Sequence, residues 1–435
     1  MRLSDSVQFA RAQVTNNDGG LPYVGLENVE SNTGVYLPTG DKESISSAFL
    51  FRPGQILFPK LRPYLNKVLL ADFAGICSTE FHVLDPVRFT PSFLALYLRT
   101  GLVLNQTKWL TSGNTLPRLQ TADVEGLLIP NCNAEMQATI AKLGEQAQEE
   151  ADAAKAQART HLTSLDTHLV AALGLTLPST GSVPLAEREF QVRFRQVAGQ
   201  RLDPKWYDPR TQALRQAIEA SPFPKVPLRD LLLHTSSGDW GYDAEDPDVL
   251  AAPAAYVRRL VVRATEFDNF YNLNVDGERA KYRILRKEKA RQLDVRADDL
   301  LLEKSGGSEN QPVGRVALLT PELLNNYPLA FSNFIFKFRP DPTQILPAYL
   351  FNFLRFVHNI RLTDAMQSQT NGIRNLIMSQ YLSQSIILPP LARQQELADQ
   401  LDAIRAEAKR LQQAAQATLA NARQQIEVMI LGTDK

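Results

Sequence analysis

The chain has 435 residues, which at about 150 residues per domain suggests two or three domains. Its hydrophobic content of 44% is that of a folded globular protein and excludes a mostly disordered chain. Basic and acidic residues both number 47, and this zero net charge argues against a nucleic-acid partner unless positive charge is concentrated locally.

The beginning of the chain predicts neither secretion nor membrane insertion. MRLSDSVQFARAQVTNNDGG lacks the apolar core of a signal peptide, and no run of about 18 apolar residues follows it. The two cysteines, Cys77 and Cys132, form no CxxC pair and have no histidine at zinc-binding spacing. We therefore expect a protein of the reducing cytoplasm whose thiols are buried apolar side chains.

The first half of the chain contains a recognisable series of elements. A short amphipathic run, RLSDSV, precedes a strand that begins at Tyr23-Val24. A buried strand, ILF at 56–58, leads into the basic loop PKLRPYLNK, and a further strand follows Ser78. The polar stretch SGNTLPRL and the step Ile129-Pro130 then precede a long helix.

The second half repeats this series in the same order. PLRDLL is followed by a strand at Tyr256-Val257, by LLL at 300–302 and by Ser332. The polar stretch SQTNGIRNL and the step Leu388-Pro389 again precede a long helix. Lys60 aligns with Lys304 and Lys67 with Arg315, with longer loops in the second copy. This agreement in order predicts an internal duplication.

Both halves end in a helix with a heptad pattern, which is typical of a coiled-coil seam. A proline precedes and a glycine follows each helix, at Pro130 and Gly174 and at Pro389 and Gly432. At 1.5 Å per residue, a helix of about 39 residues spans about 58 Å. We expect the two helices to pack on each other as an antiparallel pair; the alternative is that each packs on its own globular half. The seam residues are Met136, Ile140, Leu143, Ala147, Ala151, Ala154, Ala158, Leu162, Leu165 and Leu169 in the first helix, and Leu397, Leu401, Ile404, Ala408, Leu411, Ala415, Ala422, Ile426 and Met429 in the second.

These elements predict an α+β protein with a pseudo-twofold internal repeat. Two similar α/β domains, at 1–133 and 190–390, are separated by an antiparallel two-helix coiled coil formed by helices at 134–173 and 391–431. A linker rich in Gly, Pro, Ser and Thr joins the halves at 174–189.

The usual signatures of an enzyme are absent from the sequence. It contains no GxSxG, HExxH, GxxxxGK[ST] or GxGxxG motif and no Asn-Pro-Pro-aromatic signature of an amino-methyltransferase. The one Glu-x-Lys triplet, at Glu407, falls inside the second helix, where it is more simply an exposed charge cluster. His161 and His168 are seven residues apart on a helix, which does not suit a metal pair. We predict no catalytic residue, no metal site and no cofactor.

Basic charge is concentrated next to the matching strand in both halves. Phe51 to Lys67 has a net charge of +4, and Arg279 to Arg296 has a net charge of +6. A solvated surface is the simpler interpretation of such runs, but their repeated position favours loops that contact DNA. Acidic residues cluster at 239–248 and 145–152, so we expect the zero net charge to be the sum of separated patches.

The sequence resembles the specificity subunits of type I restriction-modification systems over nearly its whole length. GQILFPKLRPYLNKV with GICSTEFHVL carries the resemblance in the first half, and DLLLEKSGGSENQPVGRV with FSNFIFKFRP carries it in the second. The Ile-Pro and Leu-Pro steps that lead into Gln-containing long helices complete it. The first half departs from the pattern by starting almost directly at RLSDSV, which suggests that a few upstream residues are missing.

The resemblance implies a non-catalytic subunit that recognises double-stranded DNA. Each half would be a target recognition domain that reads one half of a split site, and the paired helices would fix the gap between the half-sites. The implied partners are two adenine-methyltransferase subunits, which bind S-adenosylmethionine, and restriction-motor subunits. A bilobed coiled-coil adaptor without a DNA role is the alternative; it would need exposed apolar patches instead of basic loops.

We expect the base-reading residues to lie in two loops of each half. For Tyr64 the alternative is core packing, and for Arg118 and Arg374 it is a salt bridge within the same domain. The candidates are Lys60, Arg62, Tyr64, Asn66, Lys67, Asn114 and Arg118 in the first half, and Lys304, Ser305, Ser308, Asn310, Gln311, Arg315, Gln369, Asn371 and Arg374 in the second.

Overall fold

The chain folds into two compact units, seen in a computed structural model. One unit consists of Met1–Arg159 with Ala408–Lys435, and the other of Thr160–Glu407. Each unit therefore contains one globular half and a part of both long helices. The structure describes residues 1–15, 20–38, 47–111, 117–179, 189–198, 202–268, 271–275, 281–307, 311–370 and 373–432.

In its described residues, the first unit contains two small sheets together with helices. The strands are β1 Val7–Ala10, β2 Gln13–Val14, β3 Tyr23–Val24, β4 Ala48–Phe51, β5 Ile56–Pro59, β6 Leu69–Leu70, β7 Gly75–Ser78 and β8 Phe81–Pro86. The helices are α1 Pro91–Leu98, α2 Gly101–Lys108, α3 Thr121–Glu125 and α4 Ala134–Ala172, of which α4 continues into the second unit.

The two sheets of the first unit share no strand. One is antiparallel with the order β1-β8-β5-β6, and the other has the order β2-β4-β7-β3 with a parallel β3–β7 pair. All four residues of β5 are buried, as expected of a central strand covered on both faces. The two cores of the unit lie on opposite faces of β5, with Ile56 and Phe58 in the core around Phe93 and Leu57 in the core around Phe81.

The second unit contains the corresponding elements and several additional ones. Its strands are β9 Lys225–Pro227, β10 Leu232–Ser237, β11 Tyr256–Val262, β12 Lys281–Arg286, β13 Leu300–Glu303, β14 Val316–Leu318, β15 Leu329–Phe331, β16 Ile335–Pro340, β17 Gln367–Thr370, β18 Ile373–Leu376 and β19 Ser385–Ile387. Its helices are α5 Phe194–Val197, α6 Pro204–Tyr207, α7 Pro209–Glu219, α8 Pro247–Ala251, α9 Lys287–Leu293, α10 Pro321–Asn326, α11 Pro347–Asn359, α12 Met378–Leu382 and α13 Leu391–Leu431, which continues into the first unit.

The topology of the second unit confirms the internal repeat. Its antiparallel sheet, β10-β16-β13-β14, has the same order as β1-β8-β5-β6. Its second sheet, β12-β11-β15, has a parallel β11–β15 pair where the first unit has β3–β7. Short 3₁₀ turns at Leu3–Asp5 and Leu228–Leu231 precede β1 and β10. The predicted equivalence of RLSDSV and PLRDLL is therefore confirmed.

The alignment of Tyr23-Val24 with Tyr256-Val257 is wrong by several residues. Val24 pairs with Cys77 in the first unit, and Val262 pairs with Phe331 in the second. Since Cys77 and Phe331 each stand one residue before the matched serines, Val24 corresponds to Val262. The shared Tyr-Val misled the alignment because β11 is longer at its start than β3.

The two long helices pack together in each unit, and their order along the chain is opposite. In the first unit Ile140 near the start of α4 shares a core with Ile426 near the end of α13. In the second unit Leu165 and Leu169 near the end of α4 share a core with Leu401 near the start of α13. None of the predicted seam residues is exposed. This confirms the antiparallel pair over the alternative of two separate helices.

The ends of the helices match their sequence signals. Gly174 and Gly432 have φ of +65° and +66°, which glycine adopts at little cost. Gly144, inside α4, lies against Leu96 of α1, where an added Cβ would come within 2.4 Å of a leucine methyl. None of the described helices combines the length and the apolar composition that crossing a bilayer requires.

Candidate nucleic-acid interface

The first loop of the first unit is held by its backbone. Lys60 N–H donates to the Glu80 carbonyl at 2.8 Å, and Arg62 N–H donates to the Pro117 carbonyl at 2.8 Å. Leu119 N–H donates to the Lys60 carbonyl at 3.0 Å. These bonds join the loop after β5 to the second predicted loop, which includes Arg118, so the two loops form one surface.

Residues with left-handed backbone bracket the tip of this loop. Arg62 and Asn66 have φ of 49° and 52° on either side of a 3₁₀ turn at Pro63–Leu65. Non-glycine residues rarely adopt this region, and such strain is common at ligand-contacting sites. Arg62 and Tyr64 are exposed, Tyr64 by 57%, so the alternative of core packing does not hold for Tyr64.

The other basic side chains of the loop are more constrained. Lys60 Nζ donates to the Thr79 carbonyl at 2.7 Å and lies 5.2 Å from the centre of the Phe49 ring, and burial lowers the pKa of Lys60. Lys67 Nζ donates to the carbonyls of Leu26 and Val29, each at 2.8 Å. Lys67 thus fastens the end of the loop to a neighbouring 3₁₀ turn.

Asn66 is 1% exposed, which does not fit the predicted contact with a base. Its Nδ2 donates to the Arg99 carbonyl at 2.8 Å and to Asn32 Oδ1 at 3.1 Å. Arg118 is exposed and pairs with Glu80 at 2.8 Å, as the salt-bridge alternative anticipated. Asn114 lies outside the described residues.

The second unit repeats the backbone frame of these loops. Lys304 N–H donates to the Phe334 carbonyl at 2.9 Å, Leu376 N–H donates to the Lys304 carbonyl at 2.8 Å, and Gly306 N–H donates to the Arg374 carbonyl at 3.0 Å. Lys60 and Lys304 therefore occupy the same place, as aligned. Arg118 corresponds to Asn375 and not to Arg374, because Leu119 and Leu376 make the same bond.

Two lysines meet at the end of β10. Lys304 Nζ donates to Ser237 Oγ at 3.2 Å, and Lys289 Nζ lies 3.4 Å from the Ser237 carbonyl oxygen. Trp240, which is 40% exposed, packs edge-on against Phe334 just before β16, with ring centres 5.5 Å apart. Sequence reasoning missed Ser237 and Trp240, because Trp240 stands within an acidic run with no local signal of a binding residue.

The remaining candidates of the second unit differ in exposure. Gln311 and Gln369 are exposed, Arg374 is half-buried, and Ser305 is buried at 8%. Gln369 and Arg374 are paired across β17 and β18 and line a surface cavity of about 200 Å³. Ser308, Asn310 and Asn371 lie outside the described residues.

Arg315 is buried and committed to internal partners, which argues against the predicted contact with DNA. Its Nε and Nη2 donate to the Glu303 carboxylate at 2.8 and 3.0 Å, and burial raises the pKa of Glu303. Nη1 and Nη2 donate to the carbonyls of Phe267 and Ala264, each at 2.9 Å. These carbonyls lie at the 3₁₀ turn that matches the one bonded by Lys67. Arg315 and Lys67 therefore each attach the end of a loop to the equivalent turn.

Comparison with known proteins finds a family match within the part of the chain that contains β13, β17 and β18. A family profile described as "Type I restriction modification DNA specificity domain" matches residues 262–419. Residues 262–419 of this chain are therefore similar to the DNA specificity domain of type I restriction-modification systems. The predicted resemblance to this family is confirmed.

A curated relative has low sequence identity to this chain over a short stretch. The specificity subunit of the type I restriction enzyme EcoDI from Escherichia coli is 28% identical over 116 residues, 27% of this chain. That match spans about a quarter of the curated relative, 26% of its length.

Solved chains of the same systems align with almost the entire sequence. An HsdS subunit from Thermoanaerobacter tengcongensis is 18% identical with a TM-score of 0.34, covering 99% of this chain and 94% of that one. A specificity subunit from M. genitalium is 12% identical with a TM-score of 0.41, covering 99% and 95%. A chain from work on complex assembly and conformational transition of the type I R-M system is 17% identical with a TM-score of 0.49, covering 99% and 95%.

One prediction about the distribution of charge needs correction. The acidic run at 239–248 was expected to stand apart from the basic run at 279–296, but the two meet. Arg283 on β12 forms an ion pair with Asp243 and also donates to the carbonyls of Trp240 and Gly241, each at 3.3 Å. The runs meet because Tyr242 forms a bridge with Ile284, which a linear count of charges does not reveal.

Proposed function

We propose that this chain is the DNA-recognition subunit of a type I restriction-modification complex and has no catalytic role of its own. Each unit would read one half of a bipartite site, and the paired helices α4 and α13 would set the gap between the half-sites. The observation that carries the proposal is the repeated loop frame, in which Lys60 and Lys304 make equivalent backbone bonds next to exposed polar tips.

The exposed members of the two loops are the DNA-facing candidates. In the first unit these are Arg62, Tyr64 and Arg118, which is paired with Glu80, with Lys60 beside them; Arg and Tyr suit contacts to base edges and sugars. In the second unit the exposed candidates are Gln311 and Gln369, and Lys304, Lys289 and Arg374 are half-buried beside them. The predicted Asn114, Ser308, Asn310 and Asn371 stay on this list. We assign Asn66, Lys67 and Arg315 to holding the loops in place, because their polar atoms bond within the unit.

The partners we propose are double-stranded DNA, two adenine-methyltransferase subunits that bind S-adenosylmethionine, and restriction-motor subunits. The match of residues 262–419 to the type I specificity domain family supports this set. The long helices would dock the methyltransferases and the globular halves would contact DNA. The domains would be residues 1–133 and 190–390, with the linker at 174–189.

Methylation mapping tests the proposal. DNA from cells that express this chain with a methyltransferase partner should carry methyladenine in a two-part motif with a fixed gap. A continuous palindrome, or an unchanged methylation pattern, would contradict it. Binding by the purified chain should also weaken steeply with salt, because phosphate contacts release counterions. Salt-independent behaviour would favour the adaptor alternative.

A further inference from the structure

In the second unit, a chain of hydrogen bonds links α4 to the base of the first recognition loop. Asp166 on α4 accepts from Asn359 Nδ2 at 2.8 Å and from Arg355 Nη2 at 2.6 Å. Asn359 Oδ1 accepts from the Tyr271 hydroxyl, which also lies 2.7 Å from His358 Nδ1. His358 Nε2 lies 3.1 Å from the Pro312 carbonyl oxygen in the loop.

The acceptors in this chain fix the tautomer of His358. The Pro312 carbonyl can only accept, so the neutral His358 ring carries its proton on Nε2, and the single Tyr271 hydroxyl proton lies between two acceptors, Asn359 Oδ1 and His358 Nδ1. Tyr271 and His358 are each 8% exposed, and burial lowers the pKa of His358, which favours the neutral ring. Removing the Tyr271 hydroxyl would therefore take away the hydrogen-bond donor that faces the buried His358 Nδ1.

The first unit has a corresponding link, made by different residues. Arg423 on α13 donates to the Asn32 carbonyl at 3.1 Å and to Asn32 Oδ1 at 3.3 Å. Asn32 N–H donates to the Asn66 carbonyl at 3.0 Å, and Asn66 Nδ2 donates to Asn32 Oδ1 at 3.1 Å. Asn66 ends the turn that presents Arg62 and Tyr64.

The two links occupy matching places in the repeat. Asn32 and Tyr271 both have left-handed backbone, with φ of 70° and 65°. Each follows the 3₁₀ turn that Lys67 or Arg315 fastens, at Leu26–Asn28 and Ala264–Glu266. The helices are exchanged, however: α13, which follows the second repeat, reaches the loop of the first unit, and α4, which follows the first repeat, reaches the loop of the second.

We propose that Tyr271 and Arg423 are positioning residues, through which each recognition loop takes its position from the long helix of the opposite repeat. This inference rests on the proposed function, since it concerns how the DNA-reading loops are held. Its consequence is that a change at the surface of a helix alters the reading of one half-site, not of both. Asp166 and Arg423 are both partly exposed, so a subunit bound to the helices could reach them.

The test compares Tyr271→Phe with Arg423→Met in the full-length chain bound to its methyltransferase partner. Duplexes carry the mapped site with base changes in one half-site or in the other, and competition binding gives the discrimination at each. Loss of the hydrogen bonds made by either side chain should lower discrimination by about tenfold at one half-site. Tyr271→Phe should lower discrimination at one half-site only. Arg423→Met should lower it only at the other half-site.

Two further variants separate positioning from general stability. Tyr349→Phe removes another buried hydroxyl of the second unit, bonded to the Ile387 carbonyl at 2.7 Å away from the loops, and should leave discrimination unchanged. Asp166→Ala should reproduce the effect of Tyr271→Phe from the other end of the chain of bonds. Equal effects of Tyr349→Phe and Tyr271→Phe, or equal effects of both helix links on both half-sites, would overturn the inference. If the wild-type chain discriminated between sequences at neither half-site, the proposed function itself would be overturned.

Discussion

The buried pair of Glu303 and Arg315 gives a sharp prediction about stability. Their side chains are 2% and 8% exposed, and two charge-assisted hydrogen bonds join them. Glu303→Leu keeps the volume but leaves the guanidinium buried with only two carbonyl acceptors. At about 1.5–2 kcal/mol for each lost bond, the variant should lose about 3–4 kcal/mol of unfolding free energy.

Urea unfolding followed by tryptophan fluorescence measures this loss in the second unit. The chain has three tryptophans, and Trp109 is the one in the first unit, where it is 83% exposed. A Trp109→Phe background therefore leaves Trp206 and Trp240 as reporters of the second unit. The midpoint and slope of the unfolding transition then give the change in free energy.

A matched control and a double variant test whether the loss of stability comes from leaving a buried charge without its partner. Glu396→Leu breaks an exposed pair with Arg393 on α13 and should cost less than about 1 kcal/mol. Adding Arg315→Met to Glu303→Leu should restore part of the loss, because no buried charge then remains, although two carbonyls lose a donor. A cost for Glu303→Leu no larger than that for Glu396→Leu would refute the reasoning.

Three further predictions concern single side chains. Arg62→Ala should weaken binding to one half-site only in competition binding, and unchanged affinity and specificity would remove that loop from the interface. Leu401→Ala, at a fully buried seam position, should lower the unfolding free energy by about 2–5 kcal/mol, whereas Leu391→Ala at the exposed start of α13 should cost under about 0.5 kcal/mol. Burial lowers the pKa of His82 to about 4. The folded state therefore gains about 3 kcal/mol of unfolding free energy above pH 6.5 from holding the ring neutral, and this gain is lost as the pH falls toward 4. Unfolding of a His82→Phe variant between pH 7 and pH 4 should lack that part of the pH dependence, and an identical pH profile would contradict it.

The features that follow from periodicity could be predicted from the sequence. A heptad pattern requires one apolar face, and two such helices in one chain can bury those faces against each other, as Ile140 and Ile426 do. The order of the repeated elements was equally informative, because a duplicated chain keeps its sheet order even when its loops change length.

The direction of individual side chains could not be predicted, because it depends on contacts distant in the sequence. Arg315 and Lys304 both flank the same polar loop, yet Arg315 turns inward to the Phe267 carbonyl, 48 residues away. Asn66 turns inward because the Arg99 carbonyl, 33 residues away, needs a donor. A local count of basic and polar residues treats all of these side chains alike.

The positive charge available for the proposed contact with DNA is therefore smaller than the sequence implies. The run from Phe51 to Lys67 has a net charge of +4, carried by four basic side chains. Of these, Arg52 is paired with Asp85, and Lys67 is hydrogen-bonded to two carbonyls. Lys60 and Arg62 remain, and only Arg62 is fully exposed. In the second unit Arg283 and Arg296 are paired with Asp243 and Asp294 in the same way. Because nonspecific affinity grows with the number of phosphates neutralised, a recognition surface of this kind depends on the fit of its exposed tips to bases. That dependence is the physical reason why we assign a role to Lys67 and Arg315: their charged groups bond to backbone carbonyls within their units and so fix where the exposed tips stand.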